Sequence, residues 1–416
     1  SLNGDFLFAY ETRDSIKDYY KENFDDSNWD IIDVPSMWQF RGYGKCKYPN
    51  VEYPFPFDPP YIRTENPVGY YRKRFIAAPD ERAILHFGGV DNAFYVFLNG
   101  SFVGFSKGSR IPAEFDITPY IRKGENLLAV KVFTYSDASY LENQDMLLAS
   151  GIFRDVYILH TKKVSLRDFW VRSDIGGFDI SAELFEKDAD TIVEISVDGD
   201  VRTFSALDQL CARFNISSPK LWNDEEPNLY DLYITLKKQG VPYEIHSKRI
   251  GIIKSEIKDD KLLVNGKPIY IKGINRHEYD CKNGRAISVS MIEKELRLIK
   301  ENNINAIRCS HYTNNPAFYE ICSELGILVM DECDIETHGC SATGDQGYLS
   351  KKSEWLPAYL DRAERSVKQN KNEVCIFMRS VHNESGKGEN ILACQKYLEE
   401  YCPNIAVMHQ QQQSFD

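Results

Sequence analysis

Through residues 1–163 the hydrophobic residues fall in short alternating runs separated by turn signals, the pattern of strands that bury one face in a sandwich. The sharpest case is the pair of runs 94–98 and 101–105, joined by Asn99-Gly100; Asn-Gly between alternating apolar residues predicts a tight hairpin. A further strand is predicted over 127–133, and no helical period stands out beyond a short turn near 10–20. Residues 164–255 continue the alternation, cleanest over 191–197 and 230–236, and fit a second, immunoglobulin-like sandwich.

From residue 256 the period changes. An Asn265-Gly266 hairpin opens the segment, and Ser290 with Glu293 suggests a capping box ahead of an apolar face at Ile292, Leu296 and Ile299. Strands are then expected over 304–308, 327–331, 374–380 and 405–408, and helices over 316–325, 355–370 and 390–401. This β-α-β-α order predicts a parallel sheet or barrel. The fold class is therefore multidomain: an all-β sandwich (1–163), a second β-sandwich (164–255) and an α/β barrel portion (256–416). The one low-complexity stretch is Gln410 to Gln413, too short to interpret.

Composition narrows the function classes. Lys and Arg total 50 against 62 Asp and Glu, a net charge of −12, which argues against binding a phosphate backbone and so against a nucleic-acid partner. No apolar run approaches the ~18 residues of a membrane-spanning helix, so no membrane partner is expected. Eight of the ten Cys lie at or beyond Cys281, none in a C-x-x-C pair and several in apolar runs, so they are read as small core hydrophobes and the protein as cytoplasmic.

In an α/β barrel the chemistry sits just past the carboxyl ends of the strands. The segments there are Asn275-Arg276-His277-Glu278, Arg308-Cys309-Ser310-His311-Tyr312, the run 331–339 containing Asp331, Glu332, Glu336 and His338, and His382-Asn383-Glu384. Four of the eight His fall in these four places, which points to a site and not to scattered solvated groups. Glu336 and His338, spaced i, i+2, face the same way in an extended segment and can hold a divalent cation such as Mg²⁺ or Mn²⁺, although a hydrogen-bonded pair fits the spacing equally. Glu384 is either a general acid or an ion-pair partner.

Residues 305–312 (Asn-Ala-Ile-Arg-Cys-Ser-His-Tyr), with Gly326 to Val329 beyond them, resemble the first signature of glycoside hydrolase family 2, and Asn383-Glu384 resembles the close of the second. The likeness, strongest to the β-galactosidases of that family, also runs through 34–39, 64–67, Gln144-Asp145-Met146 and 150–156. The resemblance implies a jelly-roll sugar-binding domain, an immunoglobulin-like domain and a (β/α)₈ barrel. It implies hydrolysis of terminal β-D-galactosides such as lactose with retention, with Glu384 as acid/base. It makes Glu336, His338 and Glu384 ligands of Mg²⁺, and places His277, His311 and Asn383 against the sugar. It sets Asp145 at the galactose 6-hydroxyl and a Na⁺, and Asn50 at the entrance. It also implies a homo-oligomeric full-length form.

The sequence departs from the family pattern at Thr313, where Pro is usual, and at Leu147, where the β-galactosidases tend to have Trp. Arg379 and His382 replace Trp and Gly on the strand before Asn383, and Arg379 is expected to alter the sugar pocket. Residues 256–416 fall short of the roughly 250 of a typical barrel. The nucleophilic Glu is therefore expected beyond residue 416, and the chain by itself is expected to be inactive. The alternatives are a β-glucuronidase or β-mannosidase of the same family, or a non-catalytic carbohydrate-binding fragment.

Overall fold

A computed structural model describes residues 1–78 and 81–408; the Gln410 to Gln413 stretch lies outside the described residues. The first unit is an antiparallel sandwich. One face is a six-stranded sheet in the order Asp30–Val34, Gly4–Glu11, Val68–Ala77, Gly124–Phe133, Ala93–Leu98, Ser101–Ser106. The other is a three-stranded sheet of Val156–Thr161, Arg82–Phe87 and Ala113–Asp116. Phe8, Phe87, Phe94, Val96, Val130 and Ile152 are among the side chains that fill the space between them. The Asn99-Gly100 turn forms as expected, pairing Leu98 with Ser101; Asn99 has φ +52°, a left-handed conformation that Asn tolerates.

The second unit packs a three-stranded sheet (Leu166–Asp174, Gly177–Leu184, Cys211–Asn215) on a four-stranded one (Asp200–Ser205, Thr191–Val197, Tyr230–Lys238, Val241–Ile250). Val193, Ile195, Val197, Leu232, Ile234 and Leu236 alternate inward and are buried, as the period-two pattern requires.

The third unit is built on five parallel strands in chain order: Gly273–Arg276, Ala306–Cys309, Leu328–Glu332, Ile376–Ser380 and Ala406–Met408. Helices α1 (Val289–Glu301), α2 (Pro316–Leu325), α3 (Leu356–Asn370) and α4 (Glu389–Tyr401) alternate with them. Ile292, Leu296 and Ile299 form the buried stripe of α1. The N-cap of α1 is Ser288, whose Oγ accepts from the Met291 amide at 3.3 Å, and not Ser290, which lies inside the first turn. Helix α2 has local signals at both ends: the Asn315 Oδ1 caps the Ala317 amide at 3.0 Å, Pro316 starts the helix, and Gly326 closes it at φ +72°. All ten Cys are free thiols, and Cys309, Cys322, Cys333, Cys340, Cys375 and Cys394 are buried. No helix among the described residues is long and apolar enough to cross a membrane.

Candidate active site

Period two decides which strand-end residues face the site. On the third parallel strand, Asp331 points toward the helices and Glu332 toward the barrel axis. The buried Glu332 carboxylate gathers donors from the two neighbouring strands and from the loop after the second parallel strand. Its Oε1 takes the His311 Nδ1 contact at 2.7 Å. Its Oε2 accepts from Arg308 Nη2 and Nε at 2.7 and 2.9 Å and from Ser380 Oγ at 2.6 Å. Arg308 Nη2 also donates to Asn383 Oδ1 at 2.9 Å, and Asn383 Nδ2 lies 3.4 Å from Glu384 Oε2. Arg308 and Glu332 were visible in the strand-end segments, but their spacing alone gave neither a role.

His277 stands edge-on to His311, with ring centroids 5.5 Å apart, and its Nδ1 lies 3.5 Å from the Tyr312 hydroxyl. Burial lowers the His277 pKa to about 4, and the neighbouring His311 ring and the Arg110 and Arg285 guanidinium groups push the same way. His277 is therefore a neutral ring at physiological pH.

Glu336, His338 and Glu384 are brought together, with ligand atoms within 4.8 Å of one another, the only cluster of three such groups among the described residues. His338 Nδ1 sits 2.7 Å from Glu384 Oε2. Neither oxygen of the buried Glu336 carboxylate has a well-formed hydrogen bond. Burial pushes its pKa well up; the Asn383 amide only partly offsets this, and the charges of Glu384 and Glu332 add to it. An unsatisfied buried carboxylate beside an imidazole and a second carboxylate is a donor set that suits a hard divalent cation.

The first unit supplies one wall. The Glu336 amide donates to Leu141 O at 2.7 Å, and the Asn143 amide to Glu336 O at 3.1 Å; on its other side the Asn383 amide donates to Ile335 O at 3.0 Å. The segment bearing Glu336 is thus stitched between the sandwich and the fourth parallel strand. Beneath it lies a buried cluster of three arginines and three carboxylates. Arg110 reaches Asp334 at 3.2 Å, Glu142 at 3.4 Å and Asp91 at 3.5 Å, while Arg362 holds Glu142 at 2.8 Å and Arg285 holds Asp91. Burial raises the Asp334 pKa to about 6 despite Arg110. Gln144 Nε2 donates to Asp334 Oδ1 at 2.9 Å, and Leu147 O and Ala149 O accept from Arg285. These bonds anchor the loop whose exposed tip carries Asp145.

Asp145 lies near the Tyr48 hydroxyl, whose pKa its carboxylate raises, and is outside the Glu336 group. Asn50, also exposed, has φ +55° in the turn where the Glu52 amide meets Pro49 O. The same loop is tied to the Asp145 loop through paired Lys47–Leu148 backbone bonds of 2.8 and 3.3 Å.

Arg379 corrects an expectation. It faces away from the site, its Nη1 donating to Asp331 Oδ2 at 2.7 Å and to Asn370 Oδ1 at 2.6 Å, because the alternation that turns Ser380 inward turns Arg379 toward α3. Thr313 is also away from the chemistry: it is buried, and its Oγ1 donates to Ser366 Oγ at 3.1 Å.

Comparison with known proteins follows the same division. The description "Glycosyl hydrolases family 2, sugar binding domain" matches residues 1–162, "Glycosyl hydrolases family 2" matches 161–252, and "Glycosyl hydrolases family 2, TIM barrel domain" matches 255–414. The chain belongs to glycosyl hydrolases family 2. This family 2 chain is 38% identical over 440 residues to a β-galactosidase of Vibrio cholerae, covering 99% of this chain and 43% of that protein. It is 39% identical over 438 residues to one of Priestia megaterium, covering 96% and 42%. It therefore spans less than half the length of these curated relatives. Among solved structures, it resembles a β-glycosidase from Bacteroides vulgatus (TM-score 0.77, 24% identity, 98% of this chain and 54% of that one). It also resembles a β-glucuronidase from Bacteroides uniformis (TM-score 0.79, 20% identity, 98% and 52%). At those identities the family 2 likeness concerns the fold.

Proposed function

We propose that the whole protein is a retaining glycosidase acting on terminal β-galactosides, with Glu384 as general acid/base. The observation that carries this reading is the position of Glu384. It stands at the end of the fourth parallel strand, with its side chain 30% exposed, between His338 and Asn383 and near a loop contributed by the sandwich. The galactoside preference rests on the relatives named β-galactosidase at 36–39% identity across nearly all of this chain. Domain limits near 163 and 255 agree with this reading.

In this mechanism Glu384 protonates the leaving oxygen and later takes a proton from water. His277, His311 and Asn383 hold hydroxyls of the sugar while positive charge develops on its ring. Asp145 and Asn50 line the approach, and a Na⁺ beside Asp145 belongs to the same proposal. Glu336, His338 and Glu384 would hold a Mg²⁺, which when bound supplies a fixed positive charge beside the acid. Retention needs a second carboxyl roughly 5–5.5 Å from the first. Glu332 is committed to Arg308, His311 and Ser380, and Glu336 is buried in the metal group. The nucleophile is therefore assigned to a segment outside the described residues.

Hydrolysis of an aryl β-galactoside, set beside the matching β-glucuronide and β-mannoside, tests the reading in the full-length polypeptide. Turnover of the galactoside that is lost in Glu384→Gln is the expected result. Preference for either other glycoside, or turnover undiminished in the variant, would overturn it.

A further inference from the structure

We propose that Glu332 is a positioning residue that sets the ring tautomer of His311, making His311 Nε2 a hydrogen-bond acceptor toward the sugar. The inference rests on the glycosidase reading for its consequence and on geometry alone for its substance. The carboxylate is fully buried, and its two oxygens are divided between two tasks. Oε2 takes three donors, from Arg308 Nε and Nη2 and Ser380 Oγ. Oε1 faces His311 Nδ1 at 2.7 Å.

An ionised carboxylate can only accept, so Nδ1 must carry a proton to meet it at that distance. In the neutral ring this leaves the lone pair on Nε2, for which no partner exists among the described residues, while the side chain keeps 16% of its surface exposed. A lone pair accepts from a sugar hydroxyl. As the sugar ring becomes cationic its hydroxyls become stronger donors, so an acceptor in this place favours the transition state over the ground state.

The same carboxylate acts in a second direction. It holds Arg308, which donates to Asn383 Oδ1 and so turns the amide nitrogen of Asn383 toward Glu384. One buried group thus fixes the hydrogen-bonding sense of two side chains that follow the ends of different strands.

Glu332→Gln makes the inference sharp. Three donors on the Arg308 side require the amide oxygen there, so the amide NH₂ must turn to His311 Nδ1, which can then only accept. The tautomer inverts, and Nε2 becomes a donor. Selective ¹⁵N-histidine labelling of the full chain reads both nitrogens, with His311→Gln used only to assign the resonances. The expected result is the Nδ1–H tautomer in the wild type and in Glu332→Asp, and the Nε2–H tautomer in Glu332→Gln. An Nε2–H ring in the wild type overturns the proposal even if no variant folds; an unchanged tautomer in a folded Glu332→Gln does the same.

In the full-length enzyme, Glu332→Gln is expected to lower kcat at least tenfold with a smaller change in KM, and Glu332→Asp to restore part of it. A kcat within twofold of wild type would overturn the positioning role. The tautomer measurement needs no turnover, so an inverted tautomer in a protein that cleaves no galactoside would count against the proposed function and not against this inference.

Discussion

Asp331 and Arg379 are register partners on neighbouring parallel strands, and Arg379 Nη1 donates to Asp331 Oδ2 at 2.7 Å on the helix side of the sheet. Asn370 and Ser366 from α3 reach the same oxygen at 2.9 and 3.2 Å, and the Tyr319 hydroxyl from α2 bonds the other. The next residue on each strand, Glu332 and Ser380, meets its partner on the opposite face, inside the site. The sheet therefore separates a buried structural network from the candidate chemistry by one residue in each strand.

Removing the guanidinium without removing Asp331 leaves a buried charge short of its main partner. Arg379→Met is expected to destabilise the protein by about 3–5 kcal/mol, read as a lower thermal unfolding midpoint. Affinity for galactose, measured by calorimetry below that midpoint, should not change. A variant of wild-type stability with weakened sugar binding would place Arg379 in the pocket after all.

Glu384→Gln removes the proton donor but keeps the shape of the side chain. Turnover of an aryl galactoside by the full-length protein should fall by about 10²–10⁴-fold, the ordinary contribution of a positioned acid. Galactose affinity should stay within a fewfold of wild type. Equal losses in binding and turnover would point to a role in holding the sugar.

Metal binding should depend on the buried carboxylate. Glu336→Gln keeps the volume and removes the charge, so Mg²⁺ or Mn²⁺ affinity by calorimetry is expected to fall at least tenfold, and His338→Ala should weaken it as well. Exhaustive chelation of the full-length enzyme should lower kcat, with recovery on adding either cation. Binding that is indifferent to both variants would mean the cation sits elsewhere.

The pH dependence of stability carries a signature of His277. Its folded pKa of about 4 lies below the ordinary 6.5, so the unfolded chain binds the extra proton first as the pH falls. The neutral ring is tolerated fully above pH 6.5, and stability is lost between about 6.5 and 4. His277→Asn removes the titrating group. The difference in unfolding midpoint between wild type and variant should therefore move in the variant's favour as pH drops from 7 to 5. A constant difference across that range would show that the ring is not held neutral.

By itself the sequence determined what local patterns can determine. Asn99-Gly100 and Asn265-Gly266 each specify a tight turn through their own backbone preferences. Asn315-Pro316 and Gly326 bracket α2 in the same way, and the spacing of Ile292, Leu296 and Ile299 marks the buried face of α1. The order of strands and helices located the strand ends, and with them Glu336, His338, Asn383 and Glu384. The helix start at Ser288 was missed by two residues, because Ser288 and Ser290 offer the same capping chemistry.

Tertiary structure alone decided the rest, since it concerns residues far apart in the chain. Strand alternation says that Asp331 and Glu332 face opposite ways, but only the assembled sheet says which way is inward, and so which carboxylate meets His311 and which meets Arg379. The cluster of Asp91, Arg110, Glu142, Arg285, Asp334 and Arg362 joins segments up to 271 residues apart. Its groups are stable in a low-dielectric interior only because each charge finds its counterpart there. No periodicity records such a pairing, and it is this cluster that anchors the Asp145 loop beside the barrel.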